Sequence, residues 1–249
     1  MASKWNLTEA QWSDVLLNEA TPEGVANGLA KGHWLPWVQT LLQYSAESDA
    51  TLDMGSGRGE NSAVLALKGR RTTLLDWSKD NIEYSKKLFE LMKLQGEFRH
   101  ADMTKPLPFE NDTFDMVFSC GVFEYFSAQT IRSIVKEAFR ISKKRVIIMV
   151  PNAWSIPYRL GMAYMKITGK WQWGGEVPSY SLKPHFRDIP NIRVVEFSVG
   201  TRHSLDFLTM PGGGILKRAW GRFLNVQDHP GPASLRQGYL LITIAEKLD

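Results

Sequence analysis

The segment 51–59, TLDMGSGRG, places an acid and then three glycines at alternate positions after a short apolar run. Glycine adopts positive φ angles and lets a ligand approach the backbone without a Cβ in the way. A strand that leads through such a turn into a helix forms a nucleotide-type site at the carboxyl edge of a parallel sheet. The turn therefore indicates a nucleoside-like ligand, and the spacing of its glycines decides which one.

That spacing excludes two common classes of phosphate ligand. The dinucleotide fingerprint G-x-G-x-x-G requires its third glycine at position 60, where the chain has Glu60. The triphosphate loop requires a Lys-Ser or Lys-Thr pair after its glycines, and none follows. The charge of Asp53 would also repel a pyrophosphate, whereas it suits a ligand that carries an amine and a sulfonium.

Further acids follow later strands in an order that fits a nucleoside. Asp76 ends the second predicted strand, where an acid can accept hydrogen bonds from both ribose hydroxyls. Trp77 can lie against one face of the adenine. In the loop after strand three, the carboxylate of Asp102 can accept from the adenine amino group, while the backbone N–H of Met103 meets a ring nitrogen. The alternatives are a helix-initiating role for Asp76 and a turn role for Asp102.

The stretch 107–126, LPFENDTFDMVFSCGVFEYF, completes this series. Together with the glycine turn, Asp76 and Asp102, it resembles the class I S-adenosylmethionine-dependent methyltransferases of the ubiquinone and menaquinone biosynthesis type (methyltransferase type 11). The resemblance covers residues 50 to about 152. It implies S-adenosylmethionine as cofactor, S-adenosylhomocysteine as product and no metal. It also implies the following cofactor-binding residues, of which Ser119 and Cys120 lie beside the methionine moiety: Asp53, Gly55, Ser56, Gly57, Gly59, Asp76, Trp77, Asp102, Met103, Ser119 and Cys120.

The chain departs from this family at Tyr125, where many members have histidine. A general base is needed only if the acceptor is protonated at neutral pH. With a reference pKa near 10, Tyr125 is better suited to orient an acceptor than to deprotonate it. Glu124 and His185 are the other catalytic candidates that we select, and His33 and His203 are weaker ones. Taken alone, each of these four side chains is better explained as a surface or packing residue.

From residue 50 onward, short apolar segments alternate with amphipathic helical segments, which is the pattern of repeated βαβ units. We predict an α/β fold: a doubly wound, Rossmann-like, mostly parallel seven-stranded sheet with helices on both faces. An N-terminal helical extension and a lid insertion after strand five complete it. The predicted strands are 50–53, 72–76, 97–100, 114–119, 145–150, 192–200 and 239–245.

We predict a single methyltransferase domain over residues 1–249. Its parts are a helical cap at 1–48, a cofactor-binding core at 50–152, and substrate-side insertions at 152–190 and 201–237. Loops that follow strands carry specificity on such sheets. The first insertion is rich in aromatic side chains, so the expected acceptor is an apolar, aromatic or sugar-containing metabolite. The predicted substrate-binding residues are Trp154, Tyr158, Trp171, Trp173 and Tyr180.

The composition narrows the function class. The net charge of +4 comes from scattered cations rather than a long basic stripe, so we expect no nucleic-acid partner. One cysteine, no signal-peptide-like start and no apolar run of about 18 residues predict a cytoplasmic protein. The alternatives are a non-catalytic S-adenosylmethionine-binding scaffold and an RNA or protein methyltransferase; Glu60 disfavours a dehydrogenase. Whether oxygen, nitrogen, carbon or sulfur accepts the methyl group stays open, as does the oligomeric state.

Overall fold

The structure, a computed structural model, describes Thr8, residues 20–223 and residues 238–248. In these residues the strands form one seven-stranded sheet. They are β1 (Ala50–Met54), β2 (Arg71–Asp76), β3 (Glu97–His100), β4 (Phe114–Cys120), β5 (Ser142–Pro151), β6 (Ile192–Val199) and β7 (Leu240–Lys247). Their order is β3-β2-β1-β4-β5-β7-β6. The first five strands are parallel, and β7 runs antiparallel to both β5 and β6. The predicted fold class is confirmed.

Helices connect the strands and begin at side chains that cap them. The hydroxyls of Ser78 and Ser127 accept hydrogen bonds from the backbone N–H groups of Asn81 and Thr130, as is usual for serine at a helix N-cap. The helices are α1 (Pro22–Ala30), α2 (Val38–Gln43), α3 (Glu60–Leu67), α4 (Lys79–Leu91), α5 (Ala128–Ile141), α6 (Ile156–Ile167), α7 (Thr201–Asp206) and α8 (Gly213–Phe223). Short 3-10 turns lie at Phe123–Tyr125 and Lys183–Phe186.

Two apolar cores, one on each face, hold the helices against the sheet. On one face the inner side of α5 packs with strand residues such as Val117 and Val146. On the other face α1 to α4 pack with residues such as Met116 and Phe118. Neighbouring residues of β4 therefore belong to different cores, as expected for a parallel strand that is covered on both sides.

The predicted strands match the observed ones except at their ends. β5 begins at Ser142 rather than at residue 145, because Ser142 pairs with Phe114 across an irregularity in the β4–β5 register. Within the predicted helical cap, Pro36 precedes α2 by two residues. The part of this cap before residue 20 lies outside the described residues apart from Thr8.

The segment 152–190 contains α6 and otherwise irregular chain, and residues 224–237 of the second insertion lie outside the described part. The division into cap, core and insertions stays a prediction. None of the helices among the described residues has the length and apolar character that a bilayer-crossing helix needs.

The turn after β1 requires glycine at position 59, where α3 begins. Gly59 has a φ of +77°, and a Cβ there would lie 2.7 Å from Ser85 Oγ and 2.8 Å from Leu74 Cδ2. We predict that Gly59→Ala lowers the free energy of unfolding by at least about 1–2 kcal/mol, the cost of a left-handed conformation for a residue with a Cβ. Urea denaturation measures this change.

Gly28→Ala is the matched control, because Gly28 lies inside α1 and a Cβ there meets no atom within 4 Å. This substitution should leave the protein unchanged or stabilise it by about 0.5–1 kcal/mol. Equal unfolding free energies for the two variants would contradict this account of the turn.

Candidate active site

A cavity of about 1130 Å³ lies at the carboxyl ends of β1, β2 and β4. It exceeds the usual range of about 300–1,000 Å³ for small-molecule sites, so it has room for two ligands side by side. Two groups of residues line it. The glycine-turn wall comprises Gly55, Ser56, Gly57, Arg58, Gly59, Glu60, Asn61, Asp76, Trp77, Asp102 and Met103. The acidic-aromatic wall comprises Trp37, Glu124, Tyr125, Trp173, Glu176, His203, Phe207 and Tyr239.

Hydrogen bonds to the end of β2 fix the glycine turn. The N–H groups of Gly55 and Ser56 donate to the Leu75 carbonyl at 2.7 and 3.0 Å. Gly55 has a φ of +79°, and a Cβ at this position would lie 2.7 Å from a methyl of Val122. Glycine is thus required at position 55 both for the bend and for the close approach of the chain that follows β4.

The carboxylate of Asp76 holds the turn and the start of α4 together. Its Oδ2 accepts from the Gly57 N–H at 2.8 Å. Its Oδ1 accepts from the Ser78 N–H at 2.9 Å and from Asn81 Nδ2 at 3.2 Å. Burial raises the pKa of Asp76, while these three hydrogen bonds act to lower it. A carboxylate has about four acceptor sites, so one remains for a ligand in the cavity that Asp76 lines.

Two predicted cofactor residues lie behind the lining of the cavity. Asp53 is buried, and its Oδ2 accepts from Ser62 Oγ at 2.9 Å. Burial raises the pKa of Asp53 to about 7; the Ser62 hydrogen bond lowers it and the charge of Asp76 raises it. The hydroxyl of Ser119 donates to the Met54 carbonyl at 2.6 Å. Both side chains therefore hold the strand ends and do not line the cavity. Cys120 does line the cavity, and burial raises the pKa of its thiol.

The residues predicted to bind adenine lie together at the cavity. Trp77, Asp102 and Met103 all line it. The Trp77 carbonyl lies 2.7 Å from His100 Nε2, which joins the end of β3 to the segment after β2. Asp102 Oδ1 accepts from both the N–H and the hydroxyl of Thr104, at 2.8 and 2.7 Å. This carboxylate is therefore oriented by its own loop.

The acidic-aromatic wall contains two buried carboxyls. Glu124 belongs to the 3-10 turn after β4, and Glu176 belongs to the loop after α6. The Val177 N–H donates to the Glu124 carbonyl at 3.3 Å, and the Tyr125 hydroxyl lies 3.2 Å from the Trp173 carbonyl. These contacts attach the 173–177 loop to the end of β4.

Burial has the largest effect on the pKa values of these two acids. It raises the pKa of Glu176 to about 8, although a hydrogen bond with Tyr125 lowers it. It raises the pKa of Glu124 well above its ordinary value, and the charge of Glu176 adds to the increase. The pKa of Tyr125 is also raised, first by burial and then by the charges of Glu124 and Glu176. At neutral pH, Tyr125 is therefore a neutral hydrogen-bonding group.

Aromatic rings from three other elements complete this wall. His203 of α7 lies between Trp37 and Tyr239, with ring centroids 5.5 and 4.9 Å away, and Phe207 stacks on Tyr239 at 4.9 Å. Burial lowers the pKa of His203, against a smaller opposite effect of Asp206. The wall is thus built from carboxyls and aromatic faces, with a histidine that is disfavoured as a cation.

The structure separates the predicted substrate residues. Trp173 lines the cavity. Tyr158 is fully buried and its hydroxyl donates to Glu176 Oε1, so it contacts the wall from behind. Trp154 and Tyr180 are 43% and 52% exposed and pack edge to face outside the lining. Trp171 lies near Tyr158 and beneath the Lys166 ammonium, also outside the lining.

Of the three catalytic candidates, Glu124 and Tyr125 line the cavity and His185 does not. The pKa of His185 is lowered by burial and by the nearby charge of Arg132.

Sequence reasoning missed Glu176, Phe207 and Tyr239. A signal for Glu176 exists in the segment 171–176, WQWGGE, where an acid follows two tryptophans and a glycine pair. Among the described residues no group of three or more His, Cys, Asp or Glu side chains is arranged to hold a metal ion.

Comparisons with known proteins agree with this geometry. Residues 51–145, from β1 to the first part of β5, match the family model described as a methyltransferase domain. Over 70 residues the chain is 39% identical to demethylmenaquinone methyltransferase of Clavibacter sepedonicus. That alignment covers 26% of this chain and 26% of the relative, so the chain matches about a quarter of the relative's length.

Solved structures share the fold across most of the chain. A SAM-dependent methyltransferase from Thermotoga maritima superposes with a TM-score of 0.62 at 14% identity, covering 96% of this chain and 100% of that one. Magnesium protoporphyrin IX methyltransferase from Synechocystis PCC 6803, solved with bound SAH, superposes with a TM-score of 0.53 at 16% identity. It covers 84% of this chain and 79% of that one. The resemblance indicated by the glycine turn and the 107–126 stretch is confirmed in these terms: residues 51–145 match a methyltransferase domain, and the chain shares its fold with solved S-adenosylmethionine-dependent methyltransferases.

Proposed function

We propose that this protein transfers a methyl group from S-adenosylmethionine to a small-molecule acceptor and releases S-adenosylhomocysteine. The observation that carries the proposal is the single cavity shared by two chemically different walls. The glycine-turn wall offers an oriented acid at the end of β2, and the acidic-aromatic wall offers a site for a second molecule. The Synechocystis relative with bound SAH, which has the same fold, supports this assignment.

The residues of the glycine-turn wall fit S-adenosylmethionine as the methyl donor. Asp76 has one acceptor site left for a ribose hydroxyl, and Trp77, Asp102 and Met103 line the part of the cavity proposed for adenine. Glycine at position 55 lets the turn lie close to the chain that follows β4, because a Cβ there would collide with Val122. Cys120 and Gly121 line the part of the cavity proposed for the methionine moiety. When bound, the sulfonium supplies a methyl group that is already activated for transfer.

The protein's own contribution is alignment and the removal of water. Holding two reactants in the correct geometry is worth several kcal/mol, and a water-excluding site strengthens the electrostatic contacts inside it. The Tyr125 hydroxyl, neutral and held near the Trp173 carbonyl at 3.2 Å, is placed to orient the acceptor. Trp173 provides a flat apolar face for it.

A small molecule suits this wall better than a polymer. Among the described lining residues Arg58 is the one lysine or arginine, and it pairs with Glu60 at 2.7 Å. A nucleic-acid acceptor requires uncompensated cations for its phosphates, so the charge of the wall argues against it.

A non-catalytic binding protein is the second candidate, and the absence of turnover with any metabolite would favour it. We propose that the protein acts in the cytoplasm.

Incubation with methyl-labelled S-adenosylmethionine and a metabolite extract, followed by mass spectrometry, tests the proposed activity. Labelled product together with S-adenosylhomocysteine is the expected result. Donor binding without any labelled product would contradict the proposal and support the binding protein.

The role of Asp76 leads to a prediction about donor affinity. Asp76→Asn removes the charge-assisted hydrogen bond proposed to the ribose, so donor affinity measured by calorimetry should fall about tenfold or more. Asp80→Asn is the control, because Asp80 is exposed in the first turn of α4 and does not line the cavity. Thermal unfolding checks that both variants are folded. Undiminished donor affinity in folded Asp76→Asn would show that the ribose lies elsewhere.

A second prediction separates acceptor from donor binding. Trp173→Ala removes a large apolar face from the cavity, so the KM for the acceptor identified above should rise about tenfold or more. Donor affinity should not change, because Trp173 belongs to the acidic-aromatic wall and its carbonyl accepts a hydrogen bond from Tyr125 of that same wall. Ile167→Ala removes an apolar side chain that is 86% exposed in the same insertion and should alter neither quantity. Loss of donor binding in Trp173→Ala would overturn the assignment of the two walls.

A further inference from the structure

Two buried carboxyls face the acceptor part of the cavity in unlike environments. Glu124 and Glu176 each have 5% of their surface exposed, and both line the cavity. Glu176 Oε1 accepts a hydrogen bond from the Tyr158 hydroxyl, which stabilises its ionised form. Glu124 Oε2 is buried without a hydrogen-bond partner among the described residues. The geometry therefore makes Glu176 the member of the pair that can ionise when a cation binds, and Glu124 the member that stays neutral.

No protein cation in the described lining balances a charge on this pair. The titratable groups that face the two carboxyls are Cys120 at the end of β4, Tyr125, Tyr158 from α6 and Tyr239 beside β7, with Asp53 behind Cys120. His203 also lines the cavity and is disfavoured as a cation, and Arg58 is paired with Glu60. Ionisation of either carboxyl thus leaves a buried negative charge without a cationic partner, which is costly.

The rings around the carboxyls suit a positive charge. Trp173, Tyr125, Tyr239 and Phe207 all line the same wall. Aromatic faces attract cations, and the attraction is stronger where water is excluded. Carboxyls and aromatic rings together are the side chains that proteins use to bind an organic ammonium group. A neutral or anionic acceptor would provide no partner for the ionised form of Glu176.

We propose that Glu176, paired with a neutral Glu124, binds the acceptor as a protonated amine and then takes its proton, so that nitrogen is the methylated atom. This inference rests on the proposed function and names its substrate class. In the proton-transfer step the N–H bond breaks, its electron pair stays on nitrogen, and a new O–H bond forms on the Glu176 carboxyl. The nitrogen then has the lone pair that attack on a methyl group requires.

Binding of an amine probe tests the pair without turnover. The probe is benzylamine, with benzyl alcohol as its neutral counterpart, titrated by calorimetry into the protein loaded with S-adenosylhomocysteine. We expect benzylamine to bind at least tenfold more tightly than benzyl alcohol and Glu176→Gln to abolish this preference. Glu110→Gln, at an exposed position outside the cavity, should retain it. Equal affinity for the two probes, or binding of neither, overturns the proposal.

Proton release provides a second readout. The pKa of Glu176 is about 8, so at pH 7 this carboxyl is mostly protonated and must lose its proton to bind a cation. Calorimetry in two buffers of different ionisation enthalpy should therefore detect release of about one proton per benzylamine bound. Affinity should rise as the pH increases toward 8, because the ionised carboxyl becomes available. Release of no proton in the native protein would contradict the role of Glu176.

Two variants test the protonation states assigned to the pair. Tyr158→Phe removes the donor that stabilises ionised Glu176, so the midpoint should move up by about one pH unit. Glu124→Gln exchanges one neutral group for another of similar shape, so the midpoint should stay in place; a downward shift would show that Glu124 is charged and would contradict the assignment. A purely structural role for Tyr158 would change thermal stability and leave the midpoint in place. The labelled-product experiment is independent: amine binding without methyl transfer would count against the proposed function and not against the carboxyl pair.

Discussion

The carboxylate of Asp76 is the contact on which the arrangement of the site depends. It joins the end of β2 to the glycine turn through Gly57 and to the start of α4 through Ser78 and Asn81. The hydroxyl of Ser85 in α4 closes the connection by donating to the Gly57 carbonyl at 3.1 Å. Because one buried acid orders two loops and a helix, the shape of the donor side is fixed before any ligand arrives.

Buried acids occur on both sides of the cavity but differ in how they are stabilised. Backbone N–H groups and an amide hold Asp76, and a serine hydroxyl holds Asp53. On the acceptor side Glu176 has tyrosine hydroxyls as partners, and Oε2 of Glu124 has none among the described residues. Hydrogen bonds to the charged form favour ionisation, and desolvation opposes it. The carboxyls on the donor side are therefore held by fixed hydrogen bonds, whereas protonation on the acceptor side responds to what is bound there.

Most of the fold was predictable because its signals are local. Alternation of apolar strands with amphipathic helices located the strands, and Ser78 and Ser127 marked two helix starts. The glycine turn was predictable for the same reason, since the φ angles of a turn depend on a few neighbouring residues. Glu176 was not predictable in this way, because its contacts with Glu124 and Tyr125 join residues about 50 positions apart. The number of aromatic residues in a segment also does not determine which of their side chains face a cavity. Trp173 lines the cavity, whereas Trp154 packs outside it.

The two walls are also assembled from the chain in different ways. The glycine-turn wall comes from one continuous stretch, residues 55–103, within a single run of βαβ units. The acidic-aromatic wall gathers short pieces from the end of β4, the 173–177 loop, α7 and the beginning of β7. Single substitutions in those scattered pieces can change one acceptor contact at a time and leave the glycine-turn wall unchanged. Substrate specificity can therefore evolve in this fold while the donor site stays the same.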